Sequence, residues 1–371
     1  MLDAHLRPRH TSIARLDASN LPALARGCAV LGAGGGGDPA LGLTMALHAV
    51  AEHGPVTVID AAELPDEALV MPCGLLGSPT IAEERIWSGE EGRLLAAVAQ
   101  RLRGEPVGAL MAYEIGGVNG LLPVAWAARM GVALVDADGR GRAFPELPQQ
   151  AMHLAGIAAS PVVLADGHGT TLVVDEADDA RAERLARSAA AALGGVCAVA
   201  LCCMTAAQVR TAAILGSVSG AAALGEALGA ARPGRRLDAL LDALGAVVLL
   251  RGRVLDVERR TGDGFARGSA TVDGTGGAAG RRLRVELQNE FLLALEDGQV
   301  RAAAPDLIAL LGADGGEPIG TEELHRGQRV TVIAAPAPAV WGSAAGRALA
   351  GPEAFGYGVP YAPIGGAGGP G

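Results

Sequence analysis

A glycine-rich segment near the start constrains this chain most: Val30–Gly42 reads V-L-G-A-G-G-G-G-D-P-A-L-G. Asp followed by Pro is typical of a helix start, so we predict a helix over Pro39–Glu52 and, from the apolar residues ahead of the glycines, a strand over Ala29–Leu31. Glycine lets backbone approach a ligand closely, and helix N-termini attract anions. The candidate substrate-binding residues here are Gly34, Gly35, Gly36, Gly37 and Asp38. The alternative is a tight strand-to-helix turn in which Asp38 is only a cap.

Composition excludes several kinds of chemistry. All 30 basic residues are Arg, whereas a P-loop nucleotide site, a PLP Schiff base and a Ser-Lys hydrolase each need a lysine. A net charge of -10 without a basic patch argues against nucleic acid. The apolar runs are too short to span a bilayer, and Met1–Arg9 lacks the apolar core of a signal peptide. We therefore expect a cytoplasmic protein with a small-molecule substrate, and neither a nucleic-acid nor a membrane partner.

Strand and helix patterns alternate through the first part of the chain. Such alternation predicts the α/β class, here an N-terminal three-layer α/β domain with a mostly parallel sheet. After Ala29–Leu31, the predicted strands are Val56–Ile59, Leu69–Met71, Val107–Ala112 and Ala133–Asp136. The predicted helices are Pro39–Glu52, Glu90–Arg103 and Leu121–Met130. Ligands of such sheets bind at the carboxyl ends of the strands.

The pattern changes in the second half. Helices are predicted over Ala177–Leu193 and Ala206–Ala230, with a strand between them over Val196–Cys203. Short strands separated by Gly-rich turns then predict a β-rich, barrel-like C-terminal domain: Val247–Val257, Phe265–Val272, Leu283–Leu295 and Arg329–Ala334. We therefore predict an α/β domain over residues 1–165, a β-rich domain over residues 166–361 and a disordered Gly/Pro-rich tail over residues 362–371.

Gly32, Gly34 and Gly37 also match the G-x-G-x-x-G fingerprint of dinucleotide sites, with Asp60 ending a later predicted strand. In that fingerprint the last glycine lies inside the helix that receives the pyrophosphate. Here Asp38-Pro39 restarts the helix after the glycines, and a carboxylate at that point repels a pyrophosphate. A nicotinamide oxidoreductase is therefore kept only as an alternative.

Two further clusters follow predicted strands. Glu114 and Asn119 lie in Y-E-I-G-G-V-N-G, where Glu114 is a candidate acid or base and Asn119 a candidate ligand for the substrate. The alternative is a solvated Glu114 and an Asn119 that only caps a helix. The chain has five cysteines and no C-x-x-C motif. We interpret the cysteines as buried thiols, and Cys73 is the one candidate among them for a chemical role.

The second cluster, D-A-D-G-R-G-R-A-F-P-E, contains Asp136, Asp138, Arg142 and Glu146. Two carboxylates on one face of an extended segment can bind a divalent metal or divide acid and base roles. The alternative is an Asp–Arg network that stabilises a turn. His168 is a further candidate in a polar loop, and Gln288-Asn289-Glu290 and Pro305-Asp306 could present polar groups from the second domain.

These ordered motifs resemble the S-methyl thiohydantoin desulfurase family, which is associated with hydantoinase and oxoprolinase proteins. The resemblance is carried by L-G-A-G-G-G-G-D-P, E-I-G-G-V-N-G and D-A-D-G-R-G-R-A-F-P-E-L, with further matches at Leu287–Glu290, Ala304–Ile308 and Gly351–Tyr357. It implies an α/β domain followed by a barrel-like domain. It also implies hydrolysis of an S-methyl thiohydantoin to a hydantoin and methanethiol.

The chemistry of that reaction suggests roles for the candidates. We assign water activation to Asp136 or Asp138, directly or through a divalent metal, and proton donation to Glu114, with Glu146 as a further catalytic candidate. Asn119 would bind the ring, and Arg142 with the amides of Gly34–Gly37 would hold anionic groups. Cofactors are otherwise open. We expect a homo-oligomer or a hydantoinase-type partner. The alternative function is a non-catalytic subunit or regulator of a hydantoinase- or oxoprolinase-type enzyme.

Overall fold

A computed structural model describes residues 12–364 apart from 233, 263, 264, 314 and 315. Its helices are α1 (Leu21–Leu31), α2 (Pro39–His53), α3 (Pro79–Glu84), α4 (Glu91–Arg103), α5 (Leu122–Met130), α6 (Ala151–Leu154), α7 (Asp179–Ala192), α8 (Ala206–Ala212), α9 (Ser217–Ala230), α10 (Arg236–Leu244) and α11 (Ala344–Ala350). None of these helices is long and apolar enough to cross a membrane, within the ranges just given.

The strands of the first half are β1 (Arg15–Leu16), β2 (Val56–Ile59), β3 (Leu69–Gly77), β4 (Val107–Ala112), β5 (Ala133–Asp138), β6 (Val162–Ala165), β7 (Thr171–Val174), β8 (Val196–Ala200), β9 (Met204–Thr205) and β10 (Ile214–Leu215). Those of the second half are β11 (Val247–Gly262), β12 (Phe265–Gly274), β13 (Arg282–Gln288), β14 (Glu290–Glu296), β15 (Gln299–Ala303), β16 (Leu307–Gly312) and β17 (Arg329–Ala335).

The first sheet has the strand order β1-β2-β5-β4-β3-β8-β6-β7, with β9 beside β3 and β10 beside β5. Its centre, β2-β5-β4-β3, is parallel, and β8, β6 and β7 extend it antiparallel. One apolar core joins this sheet to α1, α2, α4, α5 and α9, and a second core joins it to α6, α7 and α8. The predicted three-layer α/β domain is confirmed. Strands beyond residue 165 complete its sheet.

The predicted strand over Ala29–Leu31 is wrong, because these residues form the last turn of α1. The physical reason lies in another part of the chain. A Cβ added at Gly27 would lie 1.8 Å from the backbone oxygen of Ala221, and one at Gly225 would lie 1.7 Å from that of Ala23. Glycines therefore let α1 and α9 pack backbone to backbone, and this tertiary contact favours a helix where local sequence favours a strand.

The second sheet is antiparallel throughout, in the order β15-β14-β13-β12-β11-β17-β16, and forms a half-barrel around its own apolar core. The predicted strand Leu283–Leu295 is a hairpin of β13 and β14, with Asn289 between them at a φ of 58°. The predicted helix Ala206–Ala230 is broken into α8 and α9 at Gly216, whose φ is 78°. The barrel-like character predicted for the C-terminal domain is confirmed.

The two domains share buried surface. Side chains of α1, α9 and α10 pack on β16 and β17, as Val30, Leu228 and Leu240 do with Ile333. The chain then returns to this interface at its end: the amide of Ile364 donates to Asp306 at 2.8 Å. The rest of the predicted disordered tail, residues 365–371, lies outside the described residues.

Candidate active site between the two domains

A cleft lies where the carboxyl ends of β3, β4 and β5 meet the start of β14. About 550 Å³ of empty space lies within it, open solvent included. The polar residues and glycines along its wall are Gly36, Gly37, Gly77, Ser78, Tyr113, Glu114, Asn119, Arg140, Arg187, Asn289 and Glu290. This is the edge at which open α/β sheets bind ligands.

Glu114 follows β4 and is buried at 3% exposure. Its Oε2 accepts from the Arg140 guanidinium at 2.6 Å, and its Oε1 accepts from the Asn119 amide at 2.6 Å. The Phe144 amide lies 3.3 Å from Oε2. A buried carboxylate with a charged partner and further donors is stable as the anion. Glu114 therefore brings a fixed negative charge to the cleft.

Asn119 and Tyr113 hold this carboxylate in place. The Leu75 amide of β3 donates to Asn119 Oδ1 at 2.7 Å, and the Asn119 amide also donates to the Tyr113 hydroxyl at 3.0 Å. That hydroxyl donates to the Leu75 carbonyl at 2.8 Å, and the Arg140 guanidinium lies 4.9 Å over the Tyr113 ring. Three strand ends are thus tied into one polar network.

Asp138, the last residue of β5, supports the network from behind. Its Oδ2 accepts from the backbone amides of Ile115, Arg140 and Gly141 at 2.9, 3.0 and 2.7 Å. Burial raises the pKa of Asp138 to about 6, although these amides lower it in part. Because the amides belong to the loops that carry Glu114 and Arg140, Asp138 positions both side chains.

The second domain contributes Glu290, the first residue of β14. Asn289 adopts the left-handed conformation that Asn tolerates, and its side chain accepts from the Ala266 amide at 2.9 Å. This tight connection turns Glu290 toward the first domain. There, Glu290 Oε1 accepts from the Gly36 amide at 3.2 Å, while Oε2 has no hydrogen-bond partner among the residues that the structure describes.

The surroundings of Glu290 favour its neutral form. Burial, followed by the charge of Glu114, raises the pKa of Glu290 to about 8, even though Arg142 and Arg140 lower it in part. A carboxyl group in these surroundings keeps its proton at neutral pH. Glu290 is thus unlike Glu114, which lines the same cleft and is paired with Arg140.

The glycine-rich loop fits between the domains. A Cβ at Gly35 would lie 2.2 Å from Glu290 Oε1, and one at Gly34 would lie 2.4 Å from the Phe291 ring. The carbonyls of Ala33 and Gly34 accept from the amides of Phe291 and Thr321, at 2.8 and 2.7 Å. These glycines are therefore required for close approach of the second domain, and Gly36 and Gly37 line the cleft itself.

Comparison with protein families matches both halves of the chain. Residues 19–176 match the S-Me-THD-like N-terminal domain, and residues 177–364 match the S-Me-THD-like C-terminal domain. The chain belongs to the S-methyl thiohydantoin desulfurase (S-Me-THD)-like family. A crystal structure of a protein from Chromobacterium violaceum is similar, with 27% identity, a TM-score of 0.75, and coverage of 94% of this chain and 99% of that one. The curated proteins contain no match.

Of the predicted site residues of this S-Me-THD-like chain, Gly36, Gly37, Glu114 and Asn119 line the cleft. Glu146 lies at its edge, where Gln288 donates to it at 3.4 Å, and burial and then Glu183 raise its pKa. Asp38 is exposed and caps α2 by accepting from the Ala40 amide at 2.8 Å. This is the alternative expected for Asp38.

The other predicted residues lie outside the cleft wall. Asp136 accepts from the amide and hydroxyl of Ser219 at the start of α9, at 3.0 and 2.6 Å. The Arg142 guanidinium donates to the carbonyls of Asp306 and Phe291 at 2.5 and 3.2 Å, which fastens the second domain to the first. His168 is exposed on a separate surface depression beside Arg85. Arg142 and His168 are therefore not placed to hold a substrate in the cleft.

The structure also bears on two other sequence interpretations, the dinucleotide fingerprint and the chemical role of Cys73. The glycine loop joins helix α1 to helix α2, whereas a dinucleotide fingerprint requires a strand before the glycines. Asp60, the expected ribose ligand, caps a short 3-10 turn by accepting from the Ala62 amide at 2.8 Å. The dinucleotide prediction therefore lacks its structural context. Cys73, the one cysteine with a candidate chemical role, is buried and does not line the cleft, and burial raises its pKa well above the usual range.

Sequence reasoning missed Tyr113, Arg140 and Arg187 and gave Glu290 only a weak signal. Arg140 lies two residues from Arg142 in the same motif, and only the fold shows which of the two faces Glu114. Arg187 of α7 donates to the Pro145 carbonyl at 2.6 Å and lies 4.0 Å over the Phe265 ring. Within the described residues, no group of three His, Cys, Asp or Glu side chains is arranged to hold a metal ion.

Proposed function

We propose that this chain catalyses hydrolytic desulfurisation of an S-methyl thiohydantoin-type ring, giving a hydantoin and methanethiol. Membership of a family named for this activity supports the proposal. The observation that carries it is a pair of buried glutamates in one cleft: Glu114 is paired with Arg140 and Asn119, whereas Glu290 has an oxygen without a hydrogen-bond partner among the described residues. A hydrolysis that must supply and remove protons at neutral pH needs such a pair of environments.

The ring of the substrate carries sulfur on a carbon between two nitrogens. Water adds to that carbon, forming the C–O bond, and the C–S bond then breaks. One proton of the water leaves on methanethiol, and the other becomes the new N–H of the product hydantoin. The protein must therefore orient the ring, raise the electrophilicity of its carbon and pass protons.

The Glu114 network suits the orienting role rather than the proton donation that the sequence suggested for Glu114. An anionic carboxylate fixed by Arg140 and Asn119 is an acceptor for a ring N–H, since it is preorganised before the substrate binds. Asp136 and Asp138, our sequence candidates for activating water, are occupied by Ser219 and by three backbone amides. We therefore assign Asp138 a positioning role.

The test is release of thiol from an S-methyl thiohydantoin by the purified chain, with and without a propionate side chain on the ring. Hydantoin formation is followed in the same samples, before and after chelation and metal addition. We expect stoichiometric thiol and hydantoin, indifferent to chelation. Release lost on chelation and restored by one metal would replace carboxyl chemistry with a metal-dependent reaction.

No release by the purified chain would overturn the proposal. Release that appears only when a hydantoinase-type protein is added would assign the chain to the alternative role of a subunit. The substrate without the propionate side chain distinguishes recognition of the ring from recognition of its substituent, because only the former is expected from the Glu114 network.

A further inference from the structure

We infer that Glu290 is a catalytic residue of this cleft: a buried carboxyl, supplied by the second domain, that donates a proton to the unprotonated ring nitrogen beside the sulfur-bearing carbon. The inference rests on the proposed function. It adds a role for a residue on which that proposal places no chemical step.

The geometry of Glu290 is the first argument. The side chain is 3% exposed, lines the cleft, and leaves Oε2 without a hydrogen-bond partner among the described residues. Leaving a buried polar atom unpaired is unfavourable. A ligand atom in the cleft that accepts a hydrogen bond would satisfy Oε2 if the proton resides there.

The groups that face Glu290 are the second argument. Gly36 of the glycine loop donates to Oε1, Glu114 approaches from the loop after β4, and Arg140 and Arg142 approach from the loop after β5. Both arginines have other acceptors, since Arg140 bonds Glu114 and Arg142 bonds two carbonyls. Neither arginine is therefore paired with Glu290, since Arg140 is paired with Glu114 instead. Without a cation of its own, Glu290 keeps its proton.

The two carboxyls together match one kind of ring edge. Glu114 accepts, and protonated Glu290 donates, so a ring with one N–H and one unprotonated nitrogen satisfies both. A hydantoin has N–H at both ring nitrogens, so the product offers no acceptor nitrogen to Glu290. The structure therefore assigns selectivity for the S-methylated ring over its product to the protonated state of Glu290.

Proton balance is complete without another reactant. Glu290 gives its proton to the ring nitrogen and, as a carboxylate, takes one from the attacking water. It then gives that proton to the departing sulfur and regains one from the new hydroxyl group as the carbonyl forms. One water is consumed, one hydantoin and one methanethiol are released, and Glu290 ends protonated.

The experiment is infrared spectroscopy of the free protein across pH, with thiol release measured on the same preparations. We compare the wild-type chain with Glu290→Gln, which keeps size and hydrogen bonding but cannot pass a proton, and with Glu290→Asp, which can. The matched control is Glu146→Gln, a carboxyl at the edge of the cleft whose pKa is also raised. We expect a carboxylic-acid band at neutral pH that is lost in Glu290→Gln and retained in Glu146→Gln.

For thiol release we expect a loss of about 100-fold or more in Glu290→Gln, within the usual contribution of acid–base catalysis, and a smaller loss in Glu290→Asp. No band attributable to Glu290, or full thiol release by Glu290→Gln, would overturn the inference. The band with no thiol release by the wild-type chain would instead overturn the proposed reaction. In that case, failure of the S-methylated ring to shift the band would overturn the donor role as well.

Discussion

The two walls of the cleft use the same residue type in different ways. On the first domain, Glu114 is paired with Arg140, Asn119 and a backbone amide. On the second domain, Glu290 is equally buried, yet one of its oxygens has no partner among the described residues. Burial alone therefore does not decide what a carboxyl group does. The partners decide whether it serves as a fixed charge or as a carrier of protons.

The largest expected difference between the walls is in stability. Glu114→Gln leaves Arg140 buried without its anion, which we expect to lower the free energy of unfolding by about 3–5 kcal/mol. Burial raises the pKa of Glu290 from 4.5 to about 8. Between those pH values the folded protein holds a proton on Glu290 that the unfolded chain does not. The free energy of unfolding therefore falls as pH rises through this interval, whereas Glu290→Gln has no such loss.

Urea denaturation at pH 7 compares the two variants. We expect Glu290→Gln to be as stable as the wild-type chain or more so, and its stability to fall less as pH rises from 5 to 8 (about the interval between the two pKa values). A larger loss in Glu290→Gln than in Glu114→Gln would reverse our assignment of the charged and neutral carboxyls.

The next prediction moves Glu290 without changing it. Gly35→Ala places a methyl group 2.2 Å from the present position of Glu290 Oε1, so the carboxyl must shift while the backbone need not. We expect thiol release to fall by about 10–100-fold, since small misplacements of reacting groups have effects of this size. Gly220→Ala in α9 is the control, because a Cβ there meets nothing within 4 Å. Equal activity in both variants would argue against a reacting group at Glu290.

A third prediction separates a positioning residue from a base. Asp138→Ala leaves three backbone amides without their acceptor, so we expect a loss of about 1–3 kcal/mol in the free energy of unfolding and reduced thiol release. Asp138→Asn keeps an oxygen for these amides and should restore most of both. Loss of activity in Asp138→Asn with full stability would instead support our first assignment of Asp138 to water activation.

The smallest expected effect is outside the cleft. His168 is exposed beside Arg85, and its backbone amide donates to Asp166. His168→Ala should therefore change kcat/KM for thiol release by less than about 2-fold, within the range of a surface substitution. A drop of 10-fold or more would place part of the site on that surface and weaken the comparison of the two walls.

Local pattern predicted much of the first domain, because helices such as α2 and α4 carry their own periodicity and caps. Val107–Ala112 was predicted to the residue, and the candidates at its end, Glu114 and Asn119, do line the cleft. The strand predicted over Ala29–Leu31 was wrong because the helix there depends on close packing of Gly27 against α9, which local sequence does not show. Glu290 gave a weak signal for a similar reason. Its environment is made by residues more than 140 positions away, including Gly36, Glu114 and Arg142.

The dependence of thiol release on pH, in the wild-type chain and in Glu290→Gln, tests the division of labour between the two glutamates most directly. We predict that the wild-type rate falls above pH 8, by about 10-fold per pH unit, as Glu290 loses its proton. Glu290→Gln should be slow and lack this fall. A Glu290→Gln chain that keeps the wild-type rate, or that shows the same fall above pH 8, would contradict the account.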